Sequence, residues 1–157
     1  MLTAGLPSVN VPCCVRYLAI DLGDKRTGLA VGDATTGLSL PAGVLEVPIK
    51  ANGGAMLLDA LAKVIAEHAP NALVLGLALN MDGSEGPRAK LCRGWGEKLH
   101  ARVKLPVHYQ DERLTSAAAD WQMARSGMTH GQKKAKRDAI AAAELLADFL
   151  RQAQPPQ

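Results

Sequence analysis

Apolar and polar positions fall into blocks whose period changes along the chain. Arg16 to Leu22 (RYLAIDL) is a short apolar run ended by Gly23, which predicts a buried strand. Gly28 to Gly32 (GLAVG) predicts a second strand, and the brief GDKRT between them predicts a hairpin with antiparallel pairing. A third strand is expected over Ala42 to Val47, after the turn region Gly37 to Pro41. The period then becomes helical: Leu57, Leu58, Leu61, Val64, Ile65 and His68 form an i, i+3, i+4, i+7 stripe. Ala72 to Leu77 (ALVLGL) predicts a buried strand after Pro70-Asn71. Ser84 is read as the N-cap of a helix over Glu85 to Ala101, with Pro87 in its first turn and Leu91, Trp95 and Leu99 facing the core. Pro106 to Gln110 predicts a fifth strand. Helices are expected over Ser116 to Arg125, closed by Gly127, and over Arg137 to Arg151.

Strands that come first in hairpins and then alternate with helices predict an α/β protein with a mixed five-stranded sheet covered on both faces. This is the element order of the ribonuclease-H-like fold. The chain has 157 residues, enough for one domain with a real core. We place that domain at residues 15–152, after a loose extension over 1–14 and before a short flexible tail over 153–157. Only five residues are aromatic, so the core must be mostly aliphatic. The same scarcity argues against a single-strand binder built on stacking platforms.

Charge and cysteine usage add little. A net charge of +3 leans towards polyanionic partners and supports nothing alone. Cys13, Cys14 and Cys92 form neither a disulfide framework nor a zinc pattern, so a reducing, cytoplasmic compartment is the default expectation. The first residues have neither the cationic region nor the continuous apolar run of a signal peptide. No stretch reaches the ~18 apolar residues of a membrane helix.

The candidate chemistry lies in carboxylates. Asp21 sits inside an apolar strand, where a lone charge costs several kcal/mol and so needs a cation, hydrogen-bond donors or a metal. A plain ion pair with Lys25 or Arg26 would satisfy it. Asp111 and Glu112 follow the fifth strand, and strand alternation sends these neighbours to opposite faces, so spacing leaves them tied. Either could instead cap the next helix or pair with Arg113. Asp138 shares a helical arc with Ala141, Leu145 and Phe149, which predicts that it faces the core near the helix start. Ile140, Glu144, Ala147 and Arg151 fall on the other side. A first-turn acid held by the helix dipole is the simpler explanation.

Lys133, Lys134, Lys136 and Arg137 put four cations directly before Asp138. A solvated basic loop is the ordinary reason for such a run. Cations beside an inward acid also suit a phosphodiesterase, in which basic groups hold the backbone and carboxylates hold a divalent metal. Mg²⁺ prefers oxygen ligands, and the four scattered histidines do not suggest zinc.

Four segments now carry a resemblance: AIDLGDKRTGLAVGD (Ala19 to Asp33), GLALNMDGSEGPRA (Gly76 to Ala89), DERLTS (Asp111 to Ser116) and the basic stretch into Asp138. In this order and at these intervals they resemble the YqgF family, also called RuvX, of Holliday-junction-resolvase-like proteins and pre-16S rRNA nucleases. The likeness runs from about Tyr17 to Leu150. It implies a ribonuclease-H-like fold, a bacterial cytoplasmic location and nuclease activity dependent on Mg²⁺ or Mn²⁺. The substrate would be structured nucleic acid, either pre-rRNA or branched DNA. It places the family's acids at Asp21, Glu112 and Asp138, as catalytic residues and metal ligands, and so prefers Glu112 to Asp111. Lys25 and Arg26 in the first segment look like phosphate contacts, and Asn80 and Arg88 would line the same cleft. Arg113 and the run Lys133, Lys134, Lys136 and Arg137 complete the expected nucleic-acid contacts. Thr115-Ser116 departs from the family's usual Thr-Thr but keeps the hydroxyl. Residues 35–50 match only loosely.

Two other readings use the same residues. Actin-like sugar kinases and ATPases share an Asp-x-Gly turn, but that architecture normally needs two such domains. A ribonuclease-H-like module that binds RNA or DNA without cutting it is the second, although such modules typically lose acids retained here. The partner is expected to be nucleic acid, with no membrane, and the protein a monomer or homodimer.

Overall fold

The computed structural model describes residues 15–80, 82–111 and 130–153, with side chains in the last stretch from Lys136 to Gln152. Five strands form one sheet: β1 Arg16–Leu22, β2 Thr27–Asp33, β3 Ser39–Leu45, β4 Ala72–Leu77 and β5 Val107–Asp111. Their spatial order is β3-β2-β1-β4-β5. β1 pairs antiparallel with β2, and β2 with β3, because short turns allow nothing else. β4 lies parallel to β1 and β5 parallel to β4. Each parallel join needs a crossover, supplied by helix α1 (Ala55–His68) and helix α2 (Pro87–Val103). The third described helix, α3, spans His130–Ala153. The expected α/β mixed sheet is the observed one.

Alternation along β1 divides the core. Leu18, Ile20 and Leu22 pack with Leu73, Leu75 and Leu77 of β4, with Leu57, Leu61 and Ile65 of α1, and with Trp95 and Leu99 of α2. The opposite face is floored by small residues, Ala19, Ala30 and Val74, against Ala142, Ala143, Leu146 and Leu150 of α3. Small side chains on both partners let α3 lie close to the sheet.

Five expectations need correction. β3 begins at Ser39, earlier than the expected Ala42, since an edge strand keeps Leu40 and Pro41 exposed and shows no apolar run. α2 begins at Pro87 with Gly86 as its N-cap, and not at Glu85 under Ser84. The Ser84 hydroxyl instead donates to Asp82 Oδ1 at 2.6 Å, stabilising a local turn. Leu91, expected in the core of α2, is exposed; Ala89, Cys92 and Gly96 are buried beside Trp95 and Leu99. α3 begins well before Arg137, so Asp138 lies in its third turn and is not a first-turn acid. Its buried side is wider than the expected arc: Ala141 and Leu145 are buried as expected, but so are Ala139, Ile140, Ala142, Ala143, Leu146 and Leu150, while Phe149 lies at the margin. The alanines carry this contact because the sheet offers no room for larger groups, and Asp138 flanks the stripe. The helix expected over Ser116 to Arg125 lies outside the described residues.

Candidate active site

Asp21 is the next-to-last residue of β1 and shares its face with Tyr17 and Ala19, towards α3. Directly across the antiparallel pair stands Gly28 of β2. Opposed residues project to the same face, and at Gly28 that space is filled by the backbone of α3. A Cβ there would fall well inside contact distance of the Asp138 carbonyl. The glycine therefore seats Asp138 beside the strand pair at the level of Asp21. Two acids separated by more than a hundred residues reach the same end of the sheet in this way.

The turn between β1 and β2 is held from both faces. From the α3 side, Arg26 Nε donates to Asp138 Oδ2 at 3.0 Å, with both side chains about 30% exposed (29% and 30%). From the α2 side, Arg88 donates to Asp24 Oδ1 at 2.7 Å and to the Leu22 carbonyl at 2.6 Å. Gly23, Asp24, Lys25, Arg26 and Asp138 line a cleft of about 290 Å³. Lys25 is exposed at its lip. An exposed pair such as Arg88–Asp24 contributes at most ~1 kcal/mol, so its value lies in fixing the turn. Arg26 was expected as a phosphate contact and Arg88 as a cleft residue; both bridge the turn to a helix.

Asn80 shapes the loop before α2. Its amide donates to Ser84 Oγ at 3.0 Å, and its backbone pairs with Ser84 and Gly83. Glu85 in that loop takes a bidentate bond from Arg93 at 2.6 and 2.8 Å. The guanidinium holds the Glu85 carboxyl below its ordinary range, and Glu85 raises Arg93 in return. Arg93 also lies over the Tyr109 ring at 5.0 Å, and burial pushes that phenol up. Loop, α2 and β5 are thereby clamped together beside the cleft.

The register of β5 fixes the face of one of the two acids that spacing left tied. Asp111 pairs with Leu77, which faces the α1 and α2 core, so Asp111 is turned away from the Asp21 side. Glu112 and Arg113 lie outside the described residues. Lys136 and Arg137 are exposed on α3 in the turn before Asp138. Lys133 and Lys134 belong to the same helix, their side chains outside the described set.

Among the described residues no three metal-ligating side chains cluster. Of the three expected acids, Asp138 lies against the backbone of Gly28, which stands across the strand pair from Asp21, and lines the cleft. Carboxylate oxygens are the donors that Mg²⁺ or Mn²⁺ prefers, so the donor set fits a hard cation.

Sequence reasoning missed Gly28, Asp24 and Thr27. Thr27 is fully buried, and its hydroxyl has no hydrogen-bond partner among the described residues. A buried orphan hydroxyl costs ~1–3 kcal/mol, so Thr27→Val is expected to raise unfolding free energy by ~1 kcal/mol in urea titration. A loss of stability would mean that this hydroxyl does have a partner in solution.

The sheet order and the helices on both faces are those of a ribonuclease-H-like fold. The chain belongs to the RuvX family: the family model described as "RuvX: Holliday junction resolvase" matches residues 15–152. Relatives named "Putative pre-16S rRNA nuclease" include one from Glaesserella parasuis, 39% identical over 137 residues, covering 86% of this chain and 95% of its own. Another, from Thiobacillus denitrificans, is 41% identical over 133 residues, covering 84% and 88%. The fold is similar to Thermus thermophilus RuvC in complex with a Holliday junction substrate. That match has a TM-score of 0.58 at 16% identity, over 89% of this chain and 97% of RuvC.

Proposed function

We propose that this protein is a nuclease that uses Mg²⁺ or Mn²⁺ to hydrolyse phosphodiester bonds of structured nucleic acid. The 5′ end of pre-16S rRNA is the first substrate in this reading and a four-way DNA junction the second. The observation that carries it is the seating of Asp138 against Gly28, opposite Asp21, in a cleft edged by Lys25 and Arg26. Family membership and the names of the relatives support the same activity.

Asp21, Asp138 and Glu112 would hold the metal, with Glu112 preferred because Asp111 faces the other side. A bound divalent ion supplies charge neutralisation at the phosphate and an activated water. Arg26 balances Asp138 and stands where a phosphate entering the cleft would meet it. Arg88 fixes the turn that presents Lys25 and Arg26. Arg113 and the run Lys133, Lys134, Lys136 and Arg137 would grip the backbone on either side of the cut. Among the described residues no helix is long and apolar enough to cross a membrane, which fits a cytoplasmic enzyme.

The Arg26–Asp138 pair favours a second reading, in which the domain binds nucleic acid without cutting it, because Asp138 is satisfied without a metal. A cleavage assay decides between them. The nuclease reading expects Mg²⁺-dependent cutting of RNA spanning a precursor 16S 5′ end, or of a four-way junction, abolished by chelator. Binding without product under any divalent condition supports the module.

Neutralising Lys133, Lys134, Lys136 and Arg137 together is expected to weaken binding across sequences. It should also reduce the slope of log K against log salt by ~3, at ~0.7–0.9 per phosphate contact. An unchanged slope would reduce this part of α3 to a solvated face.

A further inference from the structure

The outer face of α2 is strongly basic and has no role in the cleft. From Pro87 through Lys104 there are six lysines and arginines and one acid, Glu97, in a chain whose total net charge is only +3. Arg88, Arg93 and Arg102 are tied to Asp24, Glu85 and Asp59. Lys90 and Lys98 are exposed and make no ion pair among the described residues. Lys98 leans on the buried Trp95 ring, with its ammonium 5.1 Å from the centroid, so its stem is held on the helix surface.

Between these two lysines, at i+4 from one and i−4 from the other, is Gly94. Glycine inside a helix is unfavourable relative to alanine, so it usually answers a close packing contact. Here there is none: a Cβ at Gly94 would meet nothing within 4 Å. Lys90, Gly94 and Lys98 therefore form one line ~12 Å long on the helix exterior, two cations around a bare stretch of backbone. Packing does not account for this arrangement. A polyanion laid along the helix does, since its phosphates would meet the lysines while its backbone approached Gly94 closely.

We propose that this line is a second nucleic-acid track, which takes the phosphate backbone of a duplex arm extending beyond the cleft. The inference rests on the nuclease reading and adds to it the size and shape of the substrate. The start of α2 is bonded through Arg88 to the β1–β2 turn, so the track begins at the cleft. It runs over the sheet face opposite α3. A substrate gripped by both α3 and α2 must be bulky or bent at the cut, and a short single strand would engage only one of them.

The test is binding of an RNA hairpin long enough to cover α2, measured by anisotropy in chelator across a salt series, so that catalysis plays no part. For Lys90→Gln/Lys98→Gln the salt slope is expected to fall by ~1.5, while cutting of a short substrate confined to the cleft is unchanged. Gly94→Gln is expected to raise Tm by ~2–4 °C through helix propensity and yet weaken hairpin binding by about threefold or more, because its side chain fills the approach. Parent protein that fails to bind the hairpin overturns the nuclease reading and the track together. Parent binding with an unchanged slope in the double variant, or tighter binding by Gly94→Gln, overturns the track alone. So does a double variant that keeps RNA affinity but loses affinity for an acidic polypeptide, which would assign this face to a protein partner.

Discussion

Asp21→Asn protein is expected to fold as the parent does and to cut its nucleic-acid substrate on the order of a thousandfold more slowly, or not at all. The amide keeps the shape and volume of the carboxylate, so the strand neighbours Ile20 and Leu22 stay buried and the pairing with Gly28 is undisturbed. What changes is charge. A hard divalent ion prefers anionic oxygens, and a neutral carbonyl replaces one of them poorly. Since the ion acts on the developing charge of the transition state, the loss should appear mainly in kcat. Asp111→Asn is the matched control, because that residue faces the opposite side of the sheet, and it should retain most activity. Equal losses in the two variants would mean that the face assignment is wrong. An Asp21→Asn enzyme that cuts as well as the parent would mean that the activity belongs to a contaminant or to another site.

Gly28→Ala is expected to be the most damaging single-methyl change in the described fold. The added carbon meets the Asp138 carbonyl carbon and oxygen and the Ala139 nitrogen, all backbone atoms of α3 that cannot turn aside. Overpacking of this kind costs ~1–3 kcal/mol, and the rigid partner places Gly28 at the upper end. For a domain of this size that is a fall in Tm of roughly 6–12 °C. The second effect is functional. Relief of the clash must push α3 off β2 and carry Asp138 away from Asp21, and a displacement of ~1 Å can cost about a hundredfold in rate. Gly94→Ala is the contrast, since its Cβ would stand in open space. If Gly28→Ala melts and cuts like the parent, α3 does not rest on β2 as described.

Much of this arrangement was legible in the chain. The first hairpin was plain because an apolar run, a four-residue turn and a second apolar run admit one pairing, and the observed register joins Leu22 to Thr27. β4 was equally plain, being buried along its whole length. The features that failed to show depend on contacts distant in sequence. Nothing near Gly28 announces that a helix more than a hundred residues later will press on it. Position suggested an Arg26 pair with Asp21 and the resemblance placed Arg88 in the cleft, yet Arg26 pairs with Asp138 and Arg88 with Asp24. The start of α3 was hidden because Lys133 to Arg137 look solvated, and charged residues continue a helix as readily as they make a loop. Its stripe was drawn too narrowly: Ala141 and Leu145 are buried as expected, but the flat floor of Ala19, Ala30 and Val74 also takes Ala142, Ala143, Leu146 and Leu150. Spacing left Asp111 and Glu112 tied and only the family resemblance preferred Glu112; the pairing of Asp111 with Leu77 adds that Asp111 faces the α1 and α2 core.

In the proposed function Asp21 and Asp138, placed at one end of the sheet by Gly28, would hold one divalent cation. Titration of Mn²⁺ into the metal-free protein, followed by electron paramagnetic resonance, tests it without any substrate. Bound Mn²⁺ is expected in the parent, with at least about tenfold weaker binding in both Asp21→Asn and Asp138→Asn and no change in Asp111→Asn. Mn²⁺ affinity that survives Asp138→Asn unchanged would contradict it.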